Sequence, residues 1–143
     1  MKPLFCPDPS RLAAGAALRA HEAAGLGLAS ITVAELSFGV HKGGSARNIA
    51  ALMRFLEPLE IADFDRAAAL ACGRLRATLQ AAGSPLCPPD TQIAAHALAL
   101  DVTLVTHNTG EFKHVPGLRL SDGLAAPDLC VLTGARPAPP RLA

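Results

Sequence analysis

The sequence contains neither tryptophan nor tyrosine, and it has only five phenylalanines among 143 residues. Proteins that read single-stranded nucleic acids by stacking need aromatic rings, so this absence argues against that mode of recognition. The formal net charge is only +1, which gives the whole protein no attraction to nucleic acid. Any such binding must come from a local patch. The ten arginines suit phosphate contacts, although this composition equally fits a biased genome.

Other absences exclude further classes of protein. No apolar run reaches the length of a membrane span, so no membrane association is expected. Prolines and an aspartate occupy the first nine residues, where a secretory signal would need an apolar block, and the cytoplasm is the expected location. The four cysteines lack metal-binding spacing and are expected to be reduced thiols. No glycine-rich dinucleotide motif or phosphate-loop lysine occurs, which argues against nucleotide cofactors.

Helical periodicity alternates with short apolar runs along the chain, which predicts a mainly parallel sheet with helices on both faces. The predicted helices begin at Ser10, Thr32, Ser45, Arg66 and Asp90, and Asp65 is predicted to cap the fourth of them, which spans 66–82. The predicted strands lie at 26–29, 59–62, 102–105 and 118–120. In the helix that begins at Asp90, His96 is predicted to lie away from the buried stripe.

The composition changes near residue 125. Residues 1–124 are predicted to form the domain, and the proline- and alanine-rich residues 125–143 are predicted to form a tail. The weak point of the domain is its start. A parallel sheet usually opens on an apolar strand, but Lys2–Cys6 is short and is interrupted by Pro3.

Acidic and polar residues follow the predicted strands, at the edge where open α/β sheets bind ligands. Glu35 and Asp90 lie where the chain enters a helix, and His107, Asn108 and Glu111 follow the strand that ends at Val105. Two carboxylates that meet at one sheet edge can hold a hard divalent cation such as Mg²⁺, with water as the remaining ligands.

Each of these residues also has a structural interpretation. Glu35 can pair with Thr32 in a capping box. Asp90 can be an N-cap or a first-turn acid that the helix dipole stabilises. Asn108 and Glu111 can shape a turn, and His107 can lie on a surface loop, since no serine or cysteine nucleophile motif stands near it.

Four segments of the chain resemble those of a known protein family: Ile31–Val40, Asn48–Leu56, Pro89–Asp90 with Ile93–Ala97, and Leu104–Phe112. In this order, from about Leu18 to Leu124, they resemble the PIN-domain ribonucleases of the VapC toxin type. The resemblance implies a three-layer α/β/α PIN-like domain that holds Mg²⁺ or Mn²⁺ and hydrolyses RNA. It also implies a cognate antitoxin protein as partner and a homodimer.

The resemblance assigns roles to three residues. Glu35 matches the acid after the second strand, Asp90 matches the acid at the head of a later helix, and Asn108 matches a position that carries Asp or Asn. The expected function is therefore that of a toxin of a type II toxin–antitoxin system, a metal-dependent endoribonuclease. Glu35 and Asp90 are expected to be catalytic, and Asp90, Glu35 and Asn108 are expected to bind the metal.

The N-terminus departs from the family's pattern. Members begin with an apolar strand that ends in an Asp-Thr-Asn-like triplet, whose aspartate is a principal metal ligand, and that element is missing. Asp8 matches poorly because its spacing is several residues too short and prolines flank it. A shortened or altered start, or a degenerate toxin copy, would explain this. The expectations are therefore a nuclease with impaired activity or, alternatively, a non-catalytic module that dimerises and binds an antitoxin.

Overall fold

The first described strand leads directly into a helix, and strands and helices continue to alternate along the chain. The computed structural model describes residues 26–106, 108–121 and 131–133. The predicted helix from Ser10 and the stretch Lys2–Cys6 lie outside these residues. The elements are β1 (Leu26–Ala29), α1 (Ser30–Gly43), α2 (Ala46–Leu56), β2 (Glu60–Ala62), α3 (Arg66–Ala81), α4 (Pro88–Leu100), β3 (Thr103–Val105), α5 (Thr109–Phe112), β4 (Arg119–Ser121) and β5 (Val131–Thr133).

The five described strands form one sheet with the order β2-β1-β5-β3-β4. β1 pairs with β2 in parallel, and β3 pairs with β4 in parallel. β5 lies between these two pairs and is antiparallel to both β1 and β3. Among the strands that the structure describes, all but β5 therefore run in one direction, which confirms the prediction of a mainly parallel sheet.

Helices cover both faces of this sheet. Successive side chains of a strand point to opposite faces, and β1 and β3 follow this rule. Ala29 and Leu104 pack in a hydrophobic cluster with residues of α3 and α4. Leu28 and Val105 pack in a second cluster with residues of α1 and α2. The domain therefore has the expected three-layer α/β/α architecture.

Local sequence signals set several helix ends. Gly44 ends α1 in the left-handed region, with a φ of 68° that glycine adopts without a steric penalty. Ser45 is the N-cap of α2 and accepts a hydrogen bond from the Asn48 backbone N–H at 3.4 Å. Asp65 caps α3 by accepting from the Ala68 N–H at 2.9 Å. In the described ranges, no helix is both long enough and apolar enough to cross a membrane.

Helix α4 differs from its prediction in two respects. It begins at Pro88 instead of Asp90, because proline is favoured at the first helical position, where its missing N–H needs no partner. It is also buried on more sides than expected. His96 is 1% exposed, and its ring packs edge-on against Phe64 with centroids 5.5 Å apart. His96 therefore belongs to the interior, and burial lowers the pKa of its imidazole.

Residues 131–133 correct the interpretation of residues 125–143 as a tail. β5 lies in the middle of the sheet, where Leu132 pairs with Gly27 on one side and Leu104 on the other. Leu132 is only 2% exposed. A strand of three residues has little periodicity of its own, and its conformation here depends on hydrogen bonds to distant strands. The sheet thus extends beyond residue 124, where the domain was predicted to end.

Candidate active site

Three acidic residues lie at the edge of the sheet where β1 and β3 end. Glu35 lies on α1, which follows β1 without a loop, and Glu111 lies on α5, the helix after β3. Helix α4 leads into β3 from the opposite end, so its first turn, which contains Asp90, returns to the same edge. This is the edge at which α/β sheets bind ligands.

The carboxyl group of Asp90 is half-buried and surrounded by other acids. Burial raises the pKa of Asp90, while a hydrogen bond from Cys87 opposes that rise. A hydrogen bond between the Asp90 and Glu111 carboxyl groups and the charges of Glu111 and Glu35 raise the pKa further. Like charges that share a site disfavour ionisation. The charges of Glu111 and Glu35 therefore act on Asp90, and a bound cation would relieve this repulsion.

Cys87 contacts Asp90 directly. Its thiol donates a hydrogen bond to Asp90 Oδ2, with Sγ 2.9 Å from the oxygen. Burial and the hydrogen bond to Asp90 raise the pKa of Cys87 to about 11, so the thiol remains a protonated donor near neutral pH. Cys87 is also the N-cap residue of α4, which excludes Asp90 from that position. Asp90 instead occupies the first turn, the other structural alternative for this residue.

Glu35 does not form a capping box with Thr32. Helix α1 begins at Ser30, with Ala29 as its N-cap and no side-chain capping bond. Thr32 therefore lies inside the helix, where it is 3% exposed. Because β1 runs straight into α1, the chain has no capping loop at this point. The half-buried Glu35 carboxylate has no capping role in α1, and its charge acts on Asp90.

Asn108 lies between β3 and α5. It is the N-cap residue of α5, its exposed side chain makes no capping hydrogen bond, and its backbone N–H donates to Thr106 Oγ1 at 3.1 Å. The structure therefore brings Glu35 and Asp90 to one site and places Asn108 at the rim of the same edge. His107 and Asp8 lie outside the described residues.

Glu111 is the acid that sequence reasoning missed as a site residue. The sequence places it with Asn108 at the ligand-binding edge of the sheet but assigns it no catalytic or metal-binding role, whereas in the structure its carboxyl group hydrogen-bonds that of Asp90. The available signal was its position in the first turn of a helix that follows a buried strand. At that position a carboxylate lies at the ligand-binding edge of the sheet.

The donor set suits a hard, partly hydrated cation. Mg²⁺ takes oxygen ligands and usually keeps several waters, so one or two carboxylates are enough to bind it. Asp90 and Glu111 provide two adjacent carboxylates, and Glu35 adds negative charge. Within the described ranges, no three His, Cys, Asp or Glu side chains are arranged to hold a metal ion among them. The two carboxylates of Asp90 and Glu111 would leave the remaining coordination positions of such a cation to water.

Comparisons with known proteins agree with this architecture. A model of the PIN domain matches residues 4–118. The chain is 40% identical over 96 residues to the tRNA(fMet)-specific endonuclease VapC of Salmonella typhimurium, in an alignment that covers 66% of this chain and 73% of the relative. It is also 40% identical over 98 residues to ribonuclease VapC2 of Rickettsia felis, covering 68% of this chain and 73% of the relative.

A solved structure gives the same result. The fold is similar to that in the crystal structure of VapBC2 from Rickettsia felis bound to a DNA fragment from their promoter. The TM-score is 0.62 at 41% sequence identity, and the match covers 66% of this chain and 72% of the other.

Proposed function

This chain belongs to the PIN domain family, and on that basis we propose that it is the toxin of a type II toxin–antitoxin system, an endoribonuclease. The observation that carries the proposal is the convergence of Asp90, Glu111 and Glu35 at the edge of the sheet where β1 and β3 end, with the charges of the two glutamates acting on Asp90. Such coupled acids are typical of catalytic and metal sites. A stable fold alone gains nothing from crowding like charges, because repulsion between them opposes folding.

We assign the direct binding of a divalent cation, Mg²⁺ or Mn²⁺, to Asp90 and Glu111, with Glu35 adding negative charge and Asn108 as a further oxygen donor from the rim. A cation held there supplies Lewis-acid polarisation of a phosphodiester and lowers the pKa of a bound water. The negatively charged carboxylate of Asp90 binds that cation, whose positive charge offsets the burial and the neighbouring acids that raise the pKa of Asp90. No covalent intermediate on the protein is needed, which agrees with the lack of a nucleophile motif in the sequence.

RNA is the proposed substrate because two relatives at 40% identity are named as an endonuclease for tRNA(fMet) and as a ribonuclease. The partner we propose is a cognate antitoxin protein, since the similar solved structure is a VapBC assembly. A homodimer is the proposed state of the toxin.

Cation-dependent cleavage is the direct test of the enzymatic proposal. Purified protein is incubated with structured RNAs in EDTA, in Mg²⁺ and in Mn²⁺, and the fragments are resolved on denaturing gels. We expect cleavage with either cation and none in EDTA. Glu35→Gln removes one charge from the site and is expected to slow cleavage about 100-fold, the upper range for losing a group that supports a metal site.

The matched control is Glu57→Gln. Glu57 is exposed at the C-cap of α2, the helix that follows the helix of Glu35 in the chain. It should cleave at the rate of the unsubstituted chain, and circular dichroism should show that both variants are folded. Cleavage that persists in EDTA, or full activity in Glu35→Gln, would contradict the proposed site.

The alternative is a non-catalytic PIN-like module that dimerises and binds an antitoxin. One observation favours it: in the described part of the chain, no three His, Cys, Asp or Glu side chains are placed so that they could hold a metal ion together. A folded protein that co-purifies with its antitoxin but cleaves no RNA with either cation would support this alternative.

A further inference from the structure

Helix α4 begins in an unusual way, because two prolines follow its N-cap residue. Cys87 has extended backbone angles, with φ of −63° and ψ of 155°, and Pro88 and Pro89 form the start of the first turn. Proline has no backbone N–H and a fixed φ. Pro88 and Pro89 therefore offer no backbone N–H groups for an N-cap side chain to accept from, and their fixed φ angles restrict the backbone of the first turn. Cys87 makes no side-chain capping bond in this turn.

The backbone of Cys87 is anchored from within the helix. The Thr91 N–H donates to the Cys87 carbonyl oxygen at 3.0 Å, and the Thr91 hydroxyl donates to the same oxygen at 2.9 Å. Thr91 is 4% exposed, so water competes little for these bonds. The backbone that carries the thiol is thus held by two hydrogen bonds and followed by two conformationally restricted prolines.

The thiol uses that position to bond the acid three residues along the helix. Cys87 Sγ donates to Asp90 Oδ2 at 2.9 Å, which occupies one of the two carboxylate oxygens. Groups that hydrogen-bond a metal-binding carboxylate orient it, and their loss usually weakens metal binding about 10–100-fold. A thiol is a weak donor, so the lower end of this range applies.

We propose that Cys87 is a positioning residue for Asp90: its thiol holds Oδ2 so that the carboxylate presents its other oxygen to the divalent cation. This inference rests on the proposed metal-dependent function of the same site. Cys87 itself contacts neither cation nor RNA in this proposal, and it acts only through Asp90.

The test compares Cys87→Ala, which removes the donor, with Cys87→Ser, which replaces it by a hydroxyl. Mn²⁺ binding is measured by calorimetry, and RNA cleavage is measured across a range of Mn²⁺ concentrations. We expect Cys87→Ala to weaken Mn²⁺ binding about tenfold, with the maximal rate recovered at saturating Mn²⁺, and Cys87→Ser to restore binding. Cys72→Ala is the control, because Cys72 is the other free cysteine in the described ranges and packs beside the core.

A second measurement does not depend on the metal. The carboxyl group of Asp90 is titrated by NMR in the metal-free protein, where loss of the thiol donor should raise its pKa in Cys87→Ala and not in Cys72→Ala. Unchanged Mn²⁺ affinity in Cys87→Ala would overturn the inference, whatever the titration shows. If the unsubstituted chain binds no Mn²⁺ and cleaves no RNA while the titration shifts, the contact is real but both the positioning role and the proposed function fail.

Discussion

Asp65 and Asp90 each stand at the start of a helix, and the two helices, α3 and α4, pack together on one face of the sheet. Asp65 is a true N-cap: it is exposed, and its Oδ1 accepts from the Ala68 N–H at 2.9 Å. Asp90 lies in the first turn of α4, three residues after the N-cap residue Cys87. It is half-buried, and the charges of Glu111 and Glu35 act on it. The same residue type therefore stabilises a helix in one place and carries a repelled charge in the other.

The difference teaches how to separate structural from functional acids. A capping carboxylate accepts a hydrogen bond that the first turn of the helix needs, so its charge supports the fold. The environment of Asp90 does the reverse, since burial and neighbouring acids raise its pKa. An acid whose charge opposes folding is a candidate for a role that folding does not explain. Four changes test this distinction.

The largest expected effect is that of Asp90→Asn on RNA cleavage. The amide keeps the size of the side chain but removes a charge that a cation needs. Since loss of a group that merely supports a ligand costs about 10–100-fold, we expect the loss of the ligand to cost at least about 100-fold. The rate is measured at saturating Mg²⁺, with circular dichroism as the check on folding. Turnover close to that of the unsubstituted chain would remove Asp90 from the site.

A smaller loss is expected from Glu111→Gln. This variant removes the acid that hydrogen-bonds Asp90, so the pKa of Asp90 should fall. The site also loses the negative charge of Glu111, which leaves less charge to bind the cation. We expect a loss of about tenfold in cleavage at saturating Mg²⁺, less than for Asp90→Asn, because Glu111 is exposed and water can replace it as a ligand. Glu60→Gln is the matched control, because Glu60 is an exposed acid on β2. Equal rates for the two variants would show that Glu111 is only a turn residue.

Asp65→Ala should affect stability and leave the chemistry unchanged. Loss of an N-cap side chain costs about 1 kcal/mol of the free energy of unfolding, and Asp65→Asn should cost less because asparagine also caps well. Urea denaturation measures both, and the cleavage rate of each should stay within about twofold of the unsubstituted chain. A selective loss of cleavage at unchanged stability would break the contrast between the two aspartates.

The smallest effect is a pH dependence of stability. The pKa of Asp90 in the folded protein lies above its ordinary value of 3.8, so the folded state binds this proton more tightly than the unfolded state. The contribution of Asp90 to the free energy of unfolding therefore falls as pH rises from 3.8 through the folded pKa, and it is constant above that. Asp90→Asn should abolish this fall in metal-free protein.

The difference in the free energy of unfolding between the unsubstituted chain and Asp90→Asn isolates the pH dependence that Asp90 contributes. His96 has a lowered pKa and acts in the opposite sense, so that stability falls as pH drops below 6.5, but it is present in both proteins and cancels in their difference. Urea unfolding is measured from pH 4 to 8 in EDTA. A difference that does not change with pH would mean that folding does not raise the pKa of Asp90.

Several elements could be predicted because their signals are local. Ser45 and Asp65 were identified as caps from the apolar periodicity that follows them, and both cap their helices. The role of His96 could not be read in the same way. Its burial depends on Phe64, which comes from the loop before α3 and packs against the ring across the helix pair. A periodicity argument sees only one helix at a time.

The candidate site was predicted in part for the same reason. Glu35 and Asp90 were recognisable as acids at strand-to-helix junctions, although the capping box proposed for Glu35 does not exist. The sequence also places Glu111 at this edge, but it assigns Glu111 no site role because an acid after a strand is most often a turn residue. Its role depends on contact with Asp90, and no sequence spacing specifies that contact.

By itself, the sequence determined the alternation of helices and strands, the capped starts of α2 and α3, and the likeness to the PIN family, because periodicity, capping and motif order are properties of neighbouring residues. Only the tertiary structure decided that β5 fills the centre of the sheet and that Glu111 joins Asp90. Both depend on which distant segments pair, and pairing is selected by the burial and hydrogen bonds of the whole sheet.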